Sequence, residues 1–221
     1  MILLPTDPEP LEIDLKRTAV IIVDMQNAFV SRGGMVELWG NDITPMQKAI
    51  PPTRKVIDAA RAKNCKIIYI AHKYSPDLQD SGIPDSPNWY KERALKSYRE
   101  HPEWRDKLII SGTWGSEIVD ELKPQMGEMV IIKLRFSAFS GTILDKVLRA
   151  NEIKYLIFTG VTANTCVETS IRDAFHHDYF AVLISDATAS NPPSLKDATI
   201  QNVARCFGWV TTADHFAQAL K

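Results

Sequence analysis

Five apolar runs constrain this chain more than any other feature: TAVIIVD (18–24), KIIYIAH (66–72), MVIIK (129–133), YLIFTG (155–160) and FAVLISD (180–186). They are rich in Ile and Val and continuous rather than alternating. An alternating strand keeps one face in water, whereas a continuous one is covered on both, as in a parallel sheet. FGWVTT (207–212) is a sixth, weaker candidate. Helical patterns lie between the runs. Residues 44–64 carry Val56, Ile57, Ala60 and Ala62, and residues 116–124 run from a Ser116 N-cap to a Pro124 stop. Residues 140–152 place Ile143, Leu144, Val147 and Leu148 on one face, a helix follows Cys166, and another spans 193–207. The alternation predicts an α/β fold, a three-layer α/β/α sandwich around a six-stranded, mainly parallel, Rossmann-like sheet with right-handed crossovers.

The 221 residues suit one domain spanning 1–221. One segment breaks the alternation. Residues 73–115, approximately, are rich in Pro, Trp and Tyr and read as a lid, a binding loop or an oligomer contact. A formal net charge of -1 gives no electrostatic footprint for nucleic acid or an anionic membrane. The N-terminus lacks the basic region of a signal peptide, and no apolar stretch approaches a membrane span. Three scattered cysteines, Cys65, Cys166 and Cys206, without a CxxC, fit a reducing, cytoplasmic setting.

In an open parallel sheet, ligands sit beyond the carboxyl ends of the strands. Asp24 ends AVIIV, Lys133 ends MVII, and Cys166 follows LIFTG by a short turn. Parallel strands bring an acid, an amine and a thiol to one edge, a set suited to nucleophilic catalysis. Each residue has a plainer reading. A strand-end Asp caps helices, a strand-end Lys snorkels to solvent, and a lone Cys fills cores. The combination is more specific, since buried Asp24 and Lys133 satisfy each other. Thr165-Cys166-Val167-Glu168 also matches a capping box, with Thr165 as N-cap and Glu168 at N3. Cys166 then begins a helix, where the dipole and Lys133 favour a thiolate. Val167, Ile171, Ala174 and Phe175 form the apolar stripe of that helix, and Cys166, Ser170, Asp173 and His177 a polar one. Cys65 and Cys206, beside apolar segments, read as core fillers.

DMQNAF after the first strand, the strand-end Lys133 and GVTANTCVETSIRDA (160–174) resemble the isochorismatase-like cysteine hydrolases. SPNWYKERALKSYR (86–99), GTWGSEIVDELKP (112–124), KLRFSAFSGTILDKVLR (133–149), RDAFHHDYFAVLISDAT (172–188) and CFGWV (206–210) are most similar to the ureidoacrylate amidohydrolase branch. Departures from that branch fall at Leu134, Phe136, Ala138, Ser140-Gly141 and Thr162-Ala163, beside the expected pocket. The resemblance implies the isochorismatase-like hydrolase fold and a homo-oligomer, dimer or tetramer. It implies Asp24 as proton acceptor, Lys133 as its electrostatic partner and Cys166 as nucleophile. It also implies a cis peptide between Val161 and Thr162, with the backbone N–H groups of Thr162 and Cys166 as oxyanion hole.

The expected activity is cysteine-dependent cleavage of the C–N bond of a small ureido or N-carbamoyl compound such as ureidoacrylate, releasing ammonia and CO2. Biuret, triuret or a simple carboxamide by the same triad, and a non-catalytic binding role, stay open. Asn27 and Phe29 share the turn after Asp24. Tyr74, Asn88, Trp89 and Tyr90 are placed to close the site from the excursion. Arg135 suits a substrate carboxylate or a surface ion pair, and Phe136 and Phe139 suit pocket or core. Nicotinamidases of the superfamily bind a metal through an Asp-x-His pair and a later His. Here no D-x-H occurs, His72 and His101 lie far apart, and His176 and His177 diverge on a helix, so neither metal nor cofactor is expected.

Overall fold

The computed structural model describes residues 1–221. A short antiparallel hairpin, β1 (Ile2–Leu4) and β2 (Leu11–Ile13), precedes the main sheet. That sheet contains β3 (Thr18–Val23), β4 (Lys66–His72), β5 (Met129–Lys133), β6 (Tyr155–Val161), β7 (Phe180–Ala189) and β8 (Trp209–Thr211). Every pairing in it is parallel, in the order β5-β4-β3-β6-β7-β8. All six runs read from the sequence are therefore strands. The chain winds outward from β3 to β5, then restarts at β6 on the other side of β3. This makes β3/β6 the topological switch point, where such sheets bind ligands.

The helices explain the continuous apolar runs. After β3 come α1 (Asn27–Val30), α2 (Met35–Leu38), α3 (Thr44–Lys48) and α4 (Ile50–Ala62). The 73–115 excursion holds α5 (Pro87–Lys91) and α6 (Arg93–Glu100). Then follow α7 (Leu144–Ala150), α8 (Glu168–His176), α9 (Pro193–Asn202) and α10 (Ala213–Ala219). Val20 and Ile22 of β3 pack with Val56, Ile57 and Phe216 from α4 and α10 on one face. Ala19, Ile21 and Val23 pack with Leu144, Leu148 and Ile171 from α7 and α8 on the other. Every β3 side chain is thus buried, each Val or Ile contributing about 1.5–3 kcal/mol. No helix is long and apolar enough to cross a membrane.

Several local expectations are corrected. Residues 116–124 form no α-helix, only 3-10 turns at Trp114–Ser116 and Asp120–Leu122. Their backbone pairs instead with the turn after β3: Asn27 N–H donates to Glu117 O and Val119 N–H to Met25 O. The long pattern at 44–64 is two helices, α3 and α4, and 193–207 ends as a π-helical turn from Val203. Cys65 is buried as expected, with its thiol pushed up to about 11 by desolvation, but Cys206 is exposed. Phe175, expected on the apolar stripe of α8, is also exposed, while Val167, Ile171 and Ala174 are buried. Phe175 instead meets Phe207 edge-on at 5.9 Å.

Gly160 sets how closely the two central strands approach. Its φ is +111°, and a Cβ there would lie 2.0 Å from Val23 O. Only glycine allows β6 to pass the end of β3 at this distance.

Candidate active site

Three strand ends meet at the switch point. Asp24 follows β3 with φ +51°, a left-handed conformation that Asp tolerates better than most residues. Its N–H donates to Ile70 O at 2.9 Å, which keeps it at the edge of β4. Gln26 braces the same junction. Its amide donates to His72 O and Ser116 O at 3.1 and 2.8 Å and accepts from the His72 N–H at 2.8 Å. Lys133 is the last residue of β5, and its side chain is wholly buried.

Cys166 stands after β6 in a π-helical turn, Ala163–Val167, that leads into α8. The expected capping box does not form. The Thr165 hydroxyl bonds that of Thr162, and Glu168 turns away to Arg172, Thr199 and Asn202. Val167 N–H donates to Thr162 O, so the wide turn is what starts the helix. Ser170 donates to Cys166 O at 2.6 Å and accepts from the Ala138 N–H at 2.9 Å, tying this turn to the segment after Lys133. The Val161-Thr162 peptide is cis. No hydrogen bond within the chain engages the Thr162 N–H.

The side chains converge. Lys133 Nζ lies 2.8 Å from Asp24 Oδ2 and donates to Cys166 Sγ at 3.2 Å and to Arg135 O at 3.2 Å. Asp24 Oδ1 has no hydrogen-bond partner. Burial pushes the Asp24 carboxyl above its ordinary range, although Lys133 opposes the shift. Burial also works against the Lys133 charge, but Asp24 and Cys166 together raise it above the ordinary lysine value. The Cys166 thiol is pushed up by burial, against the pull of Lys133. Burial of the sulfur thus works against the thiolate that the helix start and Lys133 favour.

His72, the last residue of β4, completes the edge. Its ligating atom and those of Asp24 and Cys166 lie within 4.8 Å of one another. Burial, Lys133 and Arg135 hold its ring well below the ordinary histidine range, hence neutral. As a metal site this cluster is poor, because the Lys133 ammonium already supplies the positive charge among its donors.

A cavity of about 570 Å³ opens above Cys166. Of the pocket residues expected from the sequence, Phe29, Phe136, Thr162 and Cys166 line it. The others stand elsewhere. Asn27 donates to Trp114 O and accepts from Ser31, bracing a turn. Tyr74 is fully buried behind His72, its hydroxyl 3.2 Å from His72 Nε2 and accepting from Asn88, which also donates to Ser81 O. Trp89 lies under the Arg99 guanidinium, and Tyr90 is exposed. Arg135 donates to Leu134 O. Phe139 stacks on His177 and packs in the core against Tyr179.

The sequence reading missed His72, Glu92, Lys91, Arg93 and Trp39 in the cavity wall. His72 carried a usable signal: it ends an apolar run at the same edge as Asp24 and Lys133. The others lie in segments without periodicity. Lys91 and Arg93 are exposed at the mouth, with the Arg93 guanidinium 3.8 Å above the Trp39 ring. Glu92 is buried between them.

Known proteins share this architecture. Residues 18–215 match the isochorismatase domain model. The chain is 45% identical over 214 residues to the ureidoacrylate amidohydrolase RutB of Agrobacterium fabrum, covering 96% of this chain and 94% of that protein. It is 42% identical over 218 residues to the protein of the same name in Azorhizobium caulinodans, covering 98% and 96%. Among solved structures, a cysteine hydrolase from Pseudomonas syringae pv. phaseolicola 1448A superposes with a TM-score of 0.80 at 28% identity, covering 99% of this chain and 96% of that one. The chain belongs to the isochorismatase family.

Proposed function

We propose that the protein is a cysteine-dependent amidohydrolase that cleaves the C–N bond of a small ureido acid such as ureidoacrylate. The observation that carries this is the contact set at Lys133: 2.8 Å to Asp24 and 3.2 Å to Cys166, with Cys166 lining the cavity and the other two buried from water. The amidohydrolase names of relatives matched over nearly the whole chain support the reaction class. The exposed cations Lys91 and Arg93 favour an anionic ureido acid over uncharged biuret or triuret.

In this reading, Asp24 takes the Cys166 proton as the sulfur attacks the ureido carbon, and Lys133 stabilises the charges that form. The developing oxyanion is held by the backbone N–H groups of Thr162 and Cys166, each donor contributing ~3 kcal/mol. Asp24 returns its proton to the departing ammonia, leaving a thiocarbamate on Cys166. Water, deprotonated by Asp24, releases the thiol and a carbamate, which decomposes to CO2 and the freed amine. Asp24 suits both roles because burial raises its proton affinity and Oδ1 is free.

A cytoplasmic location fits the free thiols. The 73–115 excursion supplies one wall of the cavity and is assigned the role of its lid, within a single catalytic domain. A homo-oligomer is supported by β5, an edge strand whose Val130 and Ile132 are exposed. The test is ammonia release from ureidoacrylate, biuret, triuret and a simple carboxamide by the wild type and by Cys166→Ala. Cys166-dependent release from the ureido acid is expected. No release, or an active Cys166→Ala protein, overturns the reading.

A further inference from the structure

One wall of the cavity holds a polar atom that the reaction scheme leaves unused. Glu92 stands between α5 and α6 and caps α6, its Oε1 accepting from the Ala94 N–H at 3.1 Å. The residue is only 5% exposed, yet it lines the same cavity as Cys166. Its second oxygen, Oε2, is buried without a hydrogen-bond partner. Such an oxygen is costly, and buried polar atoms in native proteins are nearly all paired. Capping does not explain it. Ser and Thr are preferred caps and would serve the Ala94 N–H without leaving a second oxygen buried and unpaired. One Glu92 oxygen holds the helix, and the other has no partner within the chain.

We propose that Glu92 Oε2 accepts a hydrogen bond from the ureido N–H that remains with the product, so that Glu92 selects ureides, which carry nitrogen on both sides of the carbonyl, over simple carboxamides and over ureides alkylated at that nitrogen. The proposal rests on the ureido-hydrolase reading above and adds the feature that the site recognises. The attacked carbon carries three substituents. Its oxygen belongs with the Thr162 N–H. The departing nitrogen faces Asp24, which must return a proton to it. The third substituent then meets the rest of the lining, in which Glu92 is the one acidic side chain. In a ureide that substituent is an N–H donor. In a carboxamide it is carbon, which leaves Oε2 desolvated and unpaired, and a site built for a donor rejects the analogue lacking one. Lys91 and Arg93 flank Glu92 on the same wall, where they meet an anionic substituent on that nitrogen as it leaves toward the mouth. Burial raises the Glu92 carboxyl above its ordinary range and Asp24 adds to this, while the Ala94 N–H, Lys133 and Arg135 oppose the shift.

Glu92→Gln tests this directly. The amide oxygen still accepts from the Ala94 N–H, but an amide N–H donor replaces the unpaired acceptor. Steady-state kinetics are measured with 3-ureidoacrylate and with its analogue methylated at the acrylate-bearing nitrogen, and circular dichroism monitors the fold. In E92Q, KM for ureidoacrylate should rise about tenfold or more, with a smaller fall in kcat. The wild-type preference for the N–H substrate over the N-methyl analogue should shrink at least about tenfold in the variant, the signature of coupling between the two groups. Glu92→Thr, which caps through one hydroxyl, should behave alike and replaces E92Q if that variant fails to fold. A folded variant with kcat/KM within about twofold of wild type, or with an unchanged N–H preference, overturns the proposal. A wild type that does not turn over ureidoacrylate overturns the ureido reading itself, and this proposal with it.

Discussion

The catalytic edge and the α5–α6 wall face the same cavity but are built in opposite ways. The edge consists of strand ends: Asp24, His72 and Lys133 close β3, β4 and β5, and Cys166 stands one π-helical turn after β6. Their positions follow from sheet register and from a core buried on both faces, so they cannot shift without disturbing packed Ile and Val. The wall rests on short helices with exposed cations and holds the buried Glu92 side chain by a single backbone contact. In the proposed scheme, chemistry that needs positions accurate to a fraction of an ångström is placed on the sheet, and selection among related substrates on the wall.

The comparison breaks most severely at Cys166. Cys166→Ala should lower ammonia release at least about 10⁴-fold while leaving the thermal midpoint close to that of the wild type. The thiol lies within a cluster that includes Val167 and Ile171, and alanine preserves its Cβ. An active Cys166→Ala protein would mean that the edge is structural rather than reactive.

Lys133 tests whether the edge is held by charge as well as by register. Lys133→Met leaves Asp24 buried without its counter-ion, which should cost about 3–5 kcal/mol of stability and abolish turnover. Adding Asp24→Asn removes the orphaned charge. The double variant should therefore recover much of the stability in denaturant titrations and none of the activity. Equal stability of Lys133→Met and the wild type would refute the pairing.

Gln26 tests whether the edge is held in register by its brace. Gln26→Ala strands the His72 N–H, the His72 carbonyl and the Ser116 carbonyl. A loss of roughly 1–3 kcal/mol in chemical unfolding is expected. Because the brace joins the ends of β3 and β4, kcat should fall more than KM rises. A pure KM effect would place Gln26 in substrate binding instead.

The same contrast explains what the sequence revealed. Asp24 and Lys133 were legible because a continuous apolar run that stops at a charged residue is a strong signal, and parallel topology sends every such stop to one edge. His72 obeys the same rule, but a histidine after Ala71 does not look like a stop. Cys166 was legible by position, yet its local geometry was not. Thr-x-x-Glu is a good capping box in isolation, and only the tertiary contacts of Glu168 with Thr199 and Asn202 turn the segment into a π-helical turn. The 116–124 helix failed for the same reason, since its backbone is taken up by pairing with the turn after β3. Asn27 was expected at the site because it follows Asp24, and Tyr74 and Asn88 because they lie in the 73–115 excursion. Their polar groups are used instead in bracing that no spacing rule encodes. Glu92 left no trace in the sequence, because one acid among the charges of KERALK looks like any solvated helix start.

The smallest predicted effect tests whether the wall trades stability for selection. Glu92 is buried with one oxygen unpaired, and desolvation raises its proton affinity above that of the unfolded chain despite the Ala94 N–H, Lys133 and Arg135. A carboxyl whose folded pKa is raised supports the fold most fully below its unfolded value. That support is lost as the pH rises through the folded value. Its glutamine variant has no proton to lose. The thermal midpoint of Glu92→Gln relative to wild type should therefore increase as the pH is raised from 4 toward neutrality, each unit of pKa displacement being equivalent to about 1.4 kcal/mol. Asp24, Lys133 and Arg135 are present in both proteins, and only their interaction with the Glu92 charge enters the difference. If the gap is flat with pH, Glu92 is not perturbed and the wall resembles any solvated surface. If the gap grows while turnover of the ureido acid falls, the residue is one that destabilises the fold and is kept for what it binds.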